Sequence, residues 1–324
     1  MNTSRPAKGR YKGEEALVLE SDALRATVLP QRGSKLASLV YKPLEAELLW
    51  QNPGEVYRSS SYADLYESGE ASGFDEMFPT ISRCFYEREP WAGVEMPDHG
   101  EVWSIPWRHR LEEDGVVMNV EGVRFPYRLE KAVSLCGDVL RLDYTAENPH
   151  TADFECIWAA HPLFNATAGM KLAVPQDLRR IVNAVPSRRL GAYGRIYRFP
   201  NAELEDGSLF DLSTIPAKGG SDYQKYWFLG RLTEGWCILH EPAARLNIGL
   251  AWPAGQVPYL GLWVNEGGWF GQYNVAPEPA TGAMDRVDFS RMWGMGGVLP
   301  AGQARQWWLT ITVRQGSEPR GGPL

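Results

Sequence analysis

Apolar and polar residues alternate with a period of two along this 324-residue chain, and that pattern restricts it to strands. Leu140, Leu142, Tyr144 and Ala146 alternate with Arg141, Asp143, Thr145 and Glu147. Leu246, Ile248, Leu250 and Trp252 share one parity, and so do Trp307, Leu309, Ile311 and Val313. Successive side chains of a strand point to opposite faces, so each run reads as a half-buried antiparallel strand. Leu24 to Leu29, Leu36 to Tyr41, Val116 to Val120 and Leu129 to Leu135 read likewise. Asp114-Gly115 and Gly137-Asp138 separate such runs and favour hairpins, because both dipeptides tolerate positive φ. Helical spacing is scarce, with short helical turns expected at Tyr62 to Glu67 and Asp177 to Val182. The chain is expected to be all-β, with many short strands in two large packed sheets.

At 44% hydrophobic residues the chain can bury a sizeable core. No linker, repeat or low-complexity segment divides it, so one domain is expected over residues 15–314. Residues 1–14 and 315–324 are polar and are expected to be flexible ends. The net charge of −7, without clustered Lys and Arg, argues against nucleic acid as a partner. The polar start Met1-Asn2-Thr3-Ser4-Arg5-Pro6 lacks the apolar run of a signal peptide, and no stretch has the length and apolarity of a membrane span. A cytoplasmic protein is the expectation. Cys84, Cys136, Cys156 and Cys237 are widely spaced, as buried free thiols would be, rather than paired as a metal or disulfide framework requires. The 13 Trp and 33 Gly suit twisted sheets with tight turns, or clefts that bind sugars.

With five histidines, each can be weighed. His99, in Pro97-Asp98-His99-Gly100, lies on a turn entering an aromatic strand, where a solvated loop histidine is the ordinary outcome. His161 follows the apolar run Phe154 to Ala160, and Pro162 biases it to an extended backbone. It is either a hydrogen-bonded core residue or a catalytic group aimed into a cleft. His109 lies on a basic strand face, His150 in a turn, and His240 at a strand end as the one rival to His161. Glu278 stands between Pro277 and Pro279, whose fixed φ holds the carboxylate on stiff backbone. The ordinary reading of such a Glu is an exposed turn. No phosphate loop, zinc helix or nucleophile elbow is present in the sequence.

The order of these pieces resembles the aldose 1-epimerase (galactose mutarotase-like) family over residues 15–314. Arg32-Gly33-Ser34-Lys35-Leu36-Ala37-Ser38-Leu39 is similar to the family's opening strand pair. Gly73-Phe74-Asp75-Glu76-Met77-Phe78-Pro79 leads to Ser82-Arg83, where the family carries a substrate-binding Arg. His99-Gly100 matches its first His-Gly, and His161-Pro162-Leu163-Phe164-Asn165 its His-Pro-Tyr-Phe-Asn. Asp222 falls where an Asp touching sugar hydroxyls is expected, and Glu278-Pro279 where the late catalytic Glu lies. Leu163 in place of Tyr, and Ser82 in place of Asn, mark an outlying branch.

The resemblance implies a β-supersandwich with the site in an open concave groove, and an isomerase acting on a monosaccharide. It assigns Glu278 as base and His161 as acid in ring opening, with the roles reversing on closure. His99, Arg83 and Asp222 would orient the sugar, and Trp103, Trp263, Trp269 or Phe164 would stack on it. No redox step occurs, so no cofactor and no metal are expected. Two rivals remain open, beside a third possibility, a lyase or glycoside-acting relative on a similar sandwich, which no sequence feature demands. One is an epimerase of a sugar phosphate or sulfonated sugar, which needs cations such as Arg83, Arg32 and Lys35. The other is a non-catalytic carbohydrate-binding protein. An acidic pair such as Asp75-Glu76 has the ligand chemistry for Ca²⁺, although such pairs usually face solvent.

Overall fold

The alternating runs form the strands of two large antiparallel sheets in the structure, a computed structural model that describes residues 5–319 and 321–324. Among the described residues the larger sheet has 13 strands, eleven in one continuous order, with Phe164–Asn165 and Ala46–Glu47 paired beside it. Its order begins Ala7–Tyr11, Glu14–Glu20, Leu24–Leu29, Lys35–Tyr41, Phe74–Met77 and Ala159–Pro162. It continues through Tyr273–Ala280, Tyr259–Glu266, Tyr223–Phe228, Arg180–Asn183 and Ile196–Arg198. The smaller sheet of eight runs Lys171–Ala173, Trp236–Glu241, Leu246–Ala251, Ala304–Gln315, Val139–Glu147, Arg128–Cys136, Gly115–Glu121 and Arg108–Leu111.

One hydrophobic cluster joins the sheets, with Leu24, Leu39 and Phe74 from one and Leu129, Leu142 and Leu309 from the other. The parity read from the sequence decides which side chains enter it. In Val139–Glu147 the residues Leu140, Leu142, Tyr144 and Ala146 are buried while Arg141 and Glu147 are exposed. Burying each such aliphatic side chain contributes roughly 1.5–3 kcal/mol, so a register slip of one residue would exchange core for solvent along a whole strand.

Several expectations need correction. Residues 7–14, expected to be a flexible end, form the strand Ala7–Tyr11 and its turn into the next strand. Residues 1–4 lie outside the described residues. Gln315 ends a sheet strand, and the residues after it dock: the Gly316 amide donates to Arg245 O at 2.7 Å and Asn247 Nδ2 to Ser317 O at 3.3 Å. The turn expected at Tyr62 to Glu67 is a 3₁₀ turn at Tyr66–Ser68. Asp177 to Val182 is not helical: Ile181 and Val182 are β-branched and pair with Phe228 and Trp227 in the strand Arg180–Asn183. The α-helix Val287–Met292 was not expected. Cys136 is exposed while the other three cysteines are buried, because it ends its strand on the parity opposite to Leu135. No helix among the described residues is long and apolar enough to cross a membrane.

Candidate active site

Glu278 owes its position to the two prolines beside it. Tyr273–Ala280 lies inside the sheet, where proline is unusual because it cannot donate to the ladder. On the side facing Ala159–Pro162 the ladder is reduced to one registered pair, Ala159 with Ala280. Continuing that register by two residues sets His161 opposite Glu278. Residues opposite one another across strands point to the same face, a few ångströms apart. His161 Nδ1 is accordingly 3.0 Å from Glu278 Oε1. The two groups therefore touch side by side.

The same face continues through the neighbouring strands. Asp75 is opposite His161, Gly261 is opposite Glu278, and Trp227 is opposite Gly261. Gly261 has no side chain to separate Glu278 from the next strand, and a Cβ there would press on the Trp227 ring at 3.1 Å. Lys225, two residues from Trp227, reaches across and donates to Glu278 Oε2. Asp285 Oδ1 is 3.8 Å from Lys225 Nζ and accepts from Trp227 Nε1 at 3.0 Å. Asp285 and Met284 both hold left-handed backbone (φ 62° and 70°), a strained arrangement that persists when surrounding bonds over-determine it. Here the Asp285 carbonyl accepts the amides of Ile81 and Ser82 at 3.1 and 2.8 Å.

His99 enters from a loop. Its amide donates to Ile81 O at 2.6 Å and its φ is 56°. Gly100 follows at φ 77°, with the Glu101 amide donating to Phe78 O. A Cβ on Gly100 would lie 2.1 Å from Phe78 O, so no other residue fits. Gly100→Ala is expected to cost about 2–3 kcal/mol, read as a lower urea midpoint, because it adds a clash to a strained φ. An unchanged midpoint would show that the loop does not pin His99. Tyr66 stacks flat on the His99 ring, centroids 4.0 Å apart, and its hydroxyl donates to Asp75 Oδ2 at 3.0 Å. Asp98 Oδ2 lies 3.1 Å from His99 Nδ1 and accepts the Tyr66 amide at 3.0 Å.

These groups surround a cavity of about 260 Å³, whose lining also includes Ser82, Trp263 and Trp269. His161 is 6% exposed and Glu278 fully buried, yet both form part of the cavity wall. Burial by itself pushes Glu278 upward, but Lys225 and then His161 outweigh it and hold the carboxyl below its usual range. Burial lowers His161, although Glu278 opposes that shift. Burial also acts to lower His99, but Asp98 outweighs it and the group ends above its ordinary value. Burial raises Asp285 against the opposing pull of Lys225. A buried carboxylate, two imidazoles displaced in opposite directions and an ammonium can move protons on a bound hydroxyl compound.

Of the residues expected at the site, His99, His161, Glu278, Trp263 and Trp269 line the cavity. Arg83 does not: its neighbour Ser82 faces in, while Arg83 is 60% exposed and paired with Glu95. Asp222 is buried away from the cavity lining, accepting the amides of Arg188 and Arg189 at 3.0 Å each, and so shapes a loop. Trp103 is buried against Tyr66 and donates to Asp98 O at 3.0 Å, which makes it a support of the His99 turn. Phe164 is core. His240 belongs to the smaller sheet, bonded to Asn247 at 2.7 Å, and is a core histidine. His109 is exposed on its strand, and His150 Nδ1 accepts the Ala152 amide at 3.1 Å within its turn.

Asp75 and Glu76 point to opposite faces, one held by Lys35 and the other by Lys131, so they cannot share a cation. The sequence reading missed Lys225 and Asp285. A lone charge inside the aromatic run Tyr223-Gln224-Lys225-Tyr226-Trp227-Phe228 was the available signal for the first.

No family model matches the chain, and no curated protein matches it significantly. Solved structures do. The chain is similar to the Slr1438 protein of Synechocystis sp. PCC 6803 at 16% identity and TM-score 0.69, covering 98% of each chain. It is similar to an Escherichia coli K12 protein provisionally named an aldose 1-epimerase, at 16% identity and TM-score 0.67, covering 95% of this chain and 100% of that one. A galactose mutarotase related enzyme of Lactobacillus acidophilus matches at 13% identity and TM-score 0.63, over 94% and 98%. At these identities the likeness establishes the fold: an all-β, galactose mutarotase-like sandwich.

Proposed function

We propose that this chain is an aldose 1-epimerase, interconverting the α and β anomers of a neutral monosaccharide by ring opening and reclosure. The observation that supports it most is the His161–Glu278 pair, 3.0 Å apart in the wall of a cavity with aromatic sides. The two oxygens that must exchange protons, the anomeric hydroxyl and the ring oxygen, sit on one carbon. A side-by-side pair can serve both, which a pair at opposite ends of a pocket cannot. Trp263 and Trp269 offer apolar faces to a sugar ring. The cavity volume of about 260 Å³ lies below the roughly 300–1,000 Å³ of drug-sized sites, which suits one ring rather than an oligosaccharide.

The charges favour an uncharged sugar. Glu67, Asp98, Glu278 and Asp285 line the cavity, and Lys225 is the one Lys or Arg among its lining residues. The cations that a phosphate or sulfonate would need are engaged elsewhere: Arg83 with Glu95, Arg32 with Glu14, and Lys35 with Asp75. NMR saturation transfer between anomers, run across a panel of aldoses, tests this. Catalysed exchange is expected for a neutral hexose, and slower exchange by about tenfold or more for its 6-phosphate, because like charges meet on binding. Sugar binding without exchange would favour a carbohydrate-binding protein instead.

A further inference from the structure

Arg32, Lys35, Arg83 and Lys131 each face a carboxylate. Two arginines at a second cavity do not. Strand parity places the first of them. The alternation that buries Trp307, Leu309, Ile311 and Val313 sets Arg305 on the same face of Ala304–Gln315, opposite Ala146. A cation on the core face of a strand ordinarily has an acidic partner. Arg305 stands exposed near the strand's end and has no such partner among the described residues. Arg231 comes from the loop after Tyr223–Phe228, which is fixed where the Leu232 amide donates to Pro258 O at 2.9 Å. Its guanidinium lies over the Tyr259 ring, 5.7 Å from the centroid, and it too has no carboxylate partner among the described residues.

Both arginines line a cavity of about 260 Å³ that shares no lining residue with the first. Its wall also holds Phe78 and the rings of Trp158 and Trp307, whose centroids are 5.1 Å apart at 56°. Trp307 is 5% exposed, and its Nε1–H is buried without a hydrogen-bond partner. An indole N–H only donates, and a buried donor left unpaired is costly, so it suits an acceptor supplied by a ligand. No Asp or Glu lines this cavity among the described residues. Cys156 does line it, but burial pushes that thiol upward and keeps it uncharged. Carboxylates on the adjoining strands have cations of their own: Glu155 has Arg88 and Arg291, and Glu147 has Arg128. A chain of net charge −7 thus carries a pocket with aromatic walls whose charges are two guanidinium groups.

We propose that this second cavity binds a small organic anion, with a phosphate or carboxylate group held by Arg231 and Arg305 and a flat, ring-sized apolar body set against Trp158 and Trp307. The planar fork of a guanidinium matches the oxygens of either headgroup. An apolar cavity of about 150 Å³ takes benzene, so this one has room for a ring and part of its headgroup. An acceptor oxygen on that body would satisfy Trp307 Nε1. The charge is the reverse of that in the catalytic cavity, where four carboxylate residues oppose an anion. The two cavities therefore sort ligands by charge, and ring opening plays no part in the second.

Titration of the whole wild-type chain with phenyl phosphate, followed by calorimetry and by nitrogen-15 NMR of the indole groups, tests this. The expected result is saturable binding at one site that shifts the Trp307 Nε1–H signal and leaves those of Trp263 and Trp269 in place. Benzyl alcohol, which lacks the charge, and inorganic phosphate, which lacks the ring, are each expected to bind at least about tenfold more weakly. Benzoate compares the headgroups: saturable binding of either aryl anion at Trp307 supports the site, and the tighter of the two names the headgroup. Changing Arg231→Gln and Arg305→Gln together should weaken the aryl anion by about tenfold or more. Both side chains are exposed and outside any ion pair, so the urea midpoint of that variant should hold. Absence of saturable binding by both aryl anions, equal binding of benzyl alcohol or inorganic phosphate, shifts confined to Trp263 and Trp269, or undiminished binding by the double variant overturns the proposal. Failure of the chain to exchange any aldose would overturn the epimerase reading and leave this site standing.

Discussion

Replacing Glu278 by Gln is expected to lower catalysed anomer exchange by about 10²–10⁴-fold while the fold persists. The amide has nearly the shape of the carboxylate but one acceptor and one donor end. Lys225 claims the acceptor, because a charge-assisted bond is the stronger of the two on offer. The NH₂ group then faces His161 Nδ1 and can only donate to it. That forces the proton of a neutral imidazole onto Nε2. The variant thus loses the carboxylate base and changes the tautomer of His161. Stability should fall by about 1.5–3 kcal/mol as charged hydrogen bonds weaken, with Asp285 at 3.8 Å still facing Lys225. Glu278 also opposes the lowering of His161, so His161 should titrate at lower pH in the variant. The measurements are saturation transfer between anomers and a urea midpoint. Near-normal exchange in Glu278→Gln would remove this carboxylate from the mechanism.

How much of this could be read beforehand depended on distance along the chain. Strands were legible because alternation is local: Leu140, Leu142 and Tyr144 declare their face within five residues. His161 and Glu278 were legible through neighbouring prolines and motif order. The site's remaining groups depend on pairing that no local pattern encodes. Lys225 matters because its strand lies beside Tyr259–Glu266 in a register that puts Gly261 between it and Glu278. Asp285 matters because a strained loop returns to the end of that row. Arg83, Asp222 and Trp103 illustrate the reverse error. Each stands near the right place in chain order, but a single residue of parity turns Arg83 outward, and local amides claim Asp222. Sequence order locates a strand or loop, whereas the face a side chain occupies is decided by register.

Glu76 shows the same rule at work in the core, and it carries the largest expected effect on stability. It neighbours Asp75 but points to the other face, into the sandwich, where it is fully buried. Lys131 Nζ donates to its Oε1 at 3.1 Å and Tyr144 Oη to the same atom at 2.9 Å, while Trp158 Nε1 donates to Oε2 at 2.9 Å. Lys131 also donates to Ser34 O at 2.6 Å. Alternation had placed Lys131 among the inward residues Leu129, Val133 and Leu135, so its burial was encoded even though its partner was not. Both groups are buried, so removing one charge strands the other. Glu76→Leu and Lys131→Met are each expected to destabilise by about 3–5 kcal/mol in urea unfolding. The double variant should be far less destabilised than the sum, because neither charge remains and the apolar side chains fill similar volume. If the two losses simply add, the ion pair is not the unit that holds these sheets together, and the cost of each change belongs to packing at its own site.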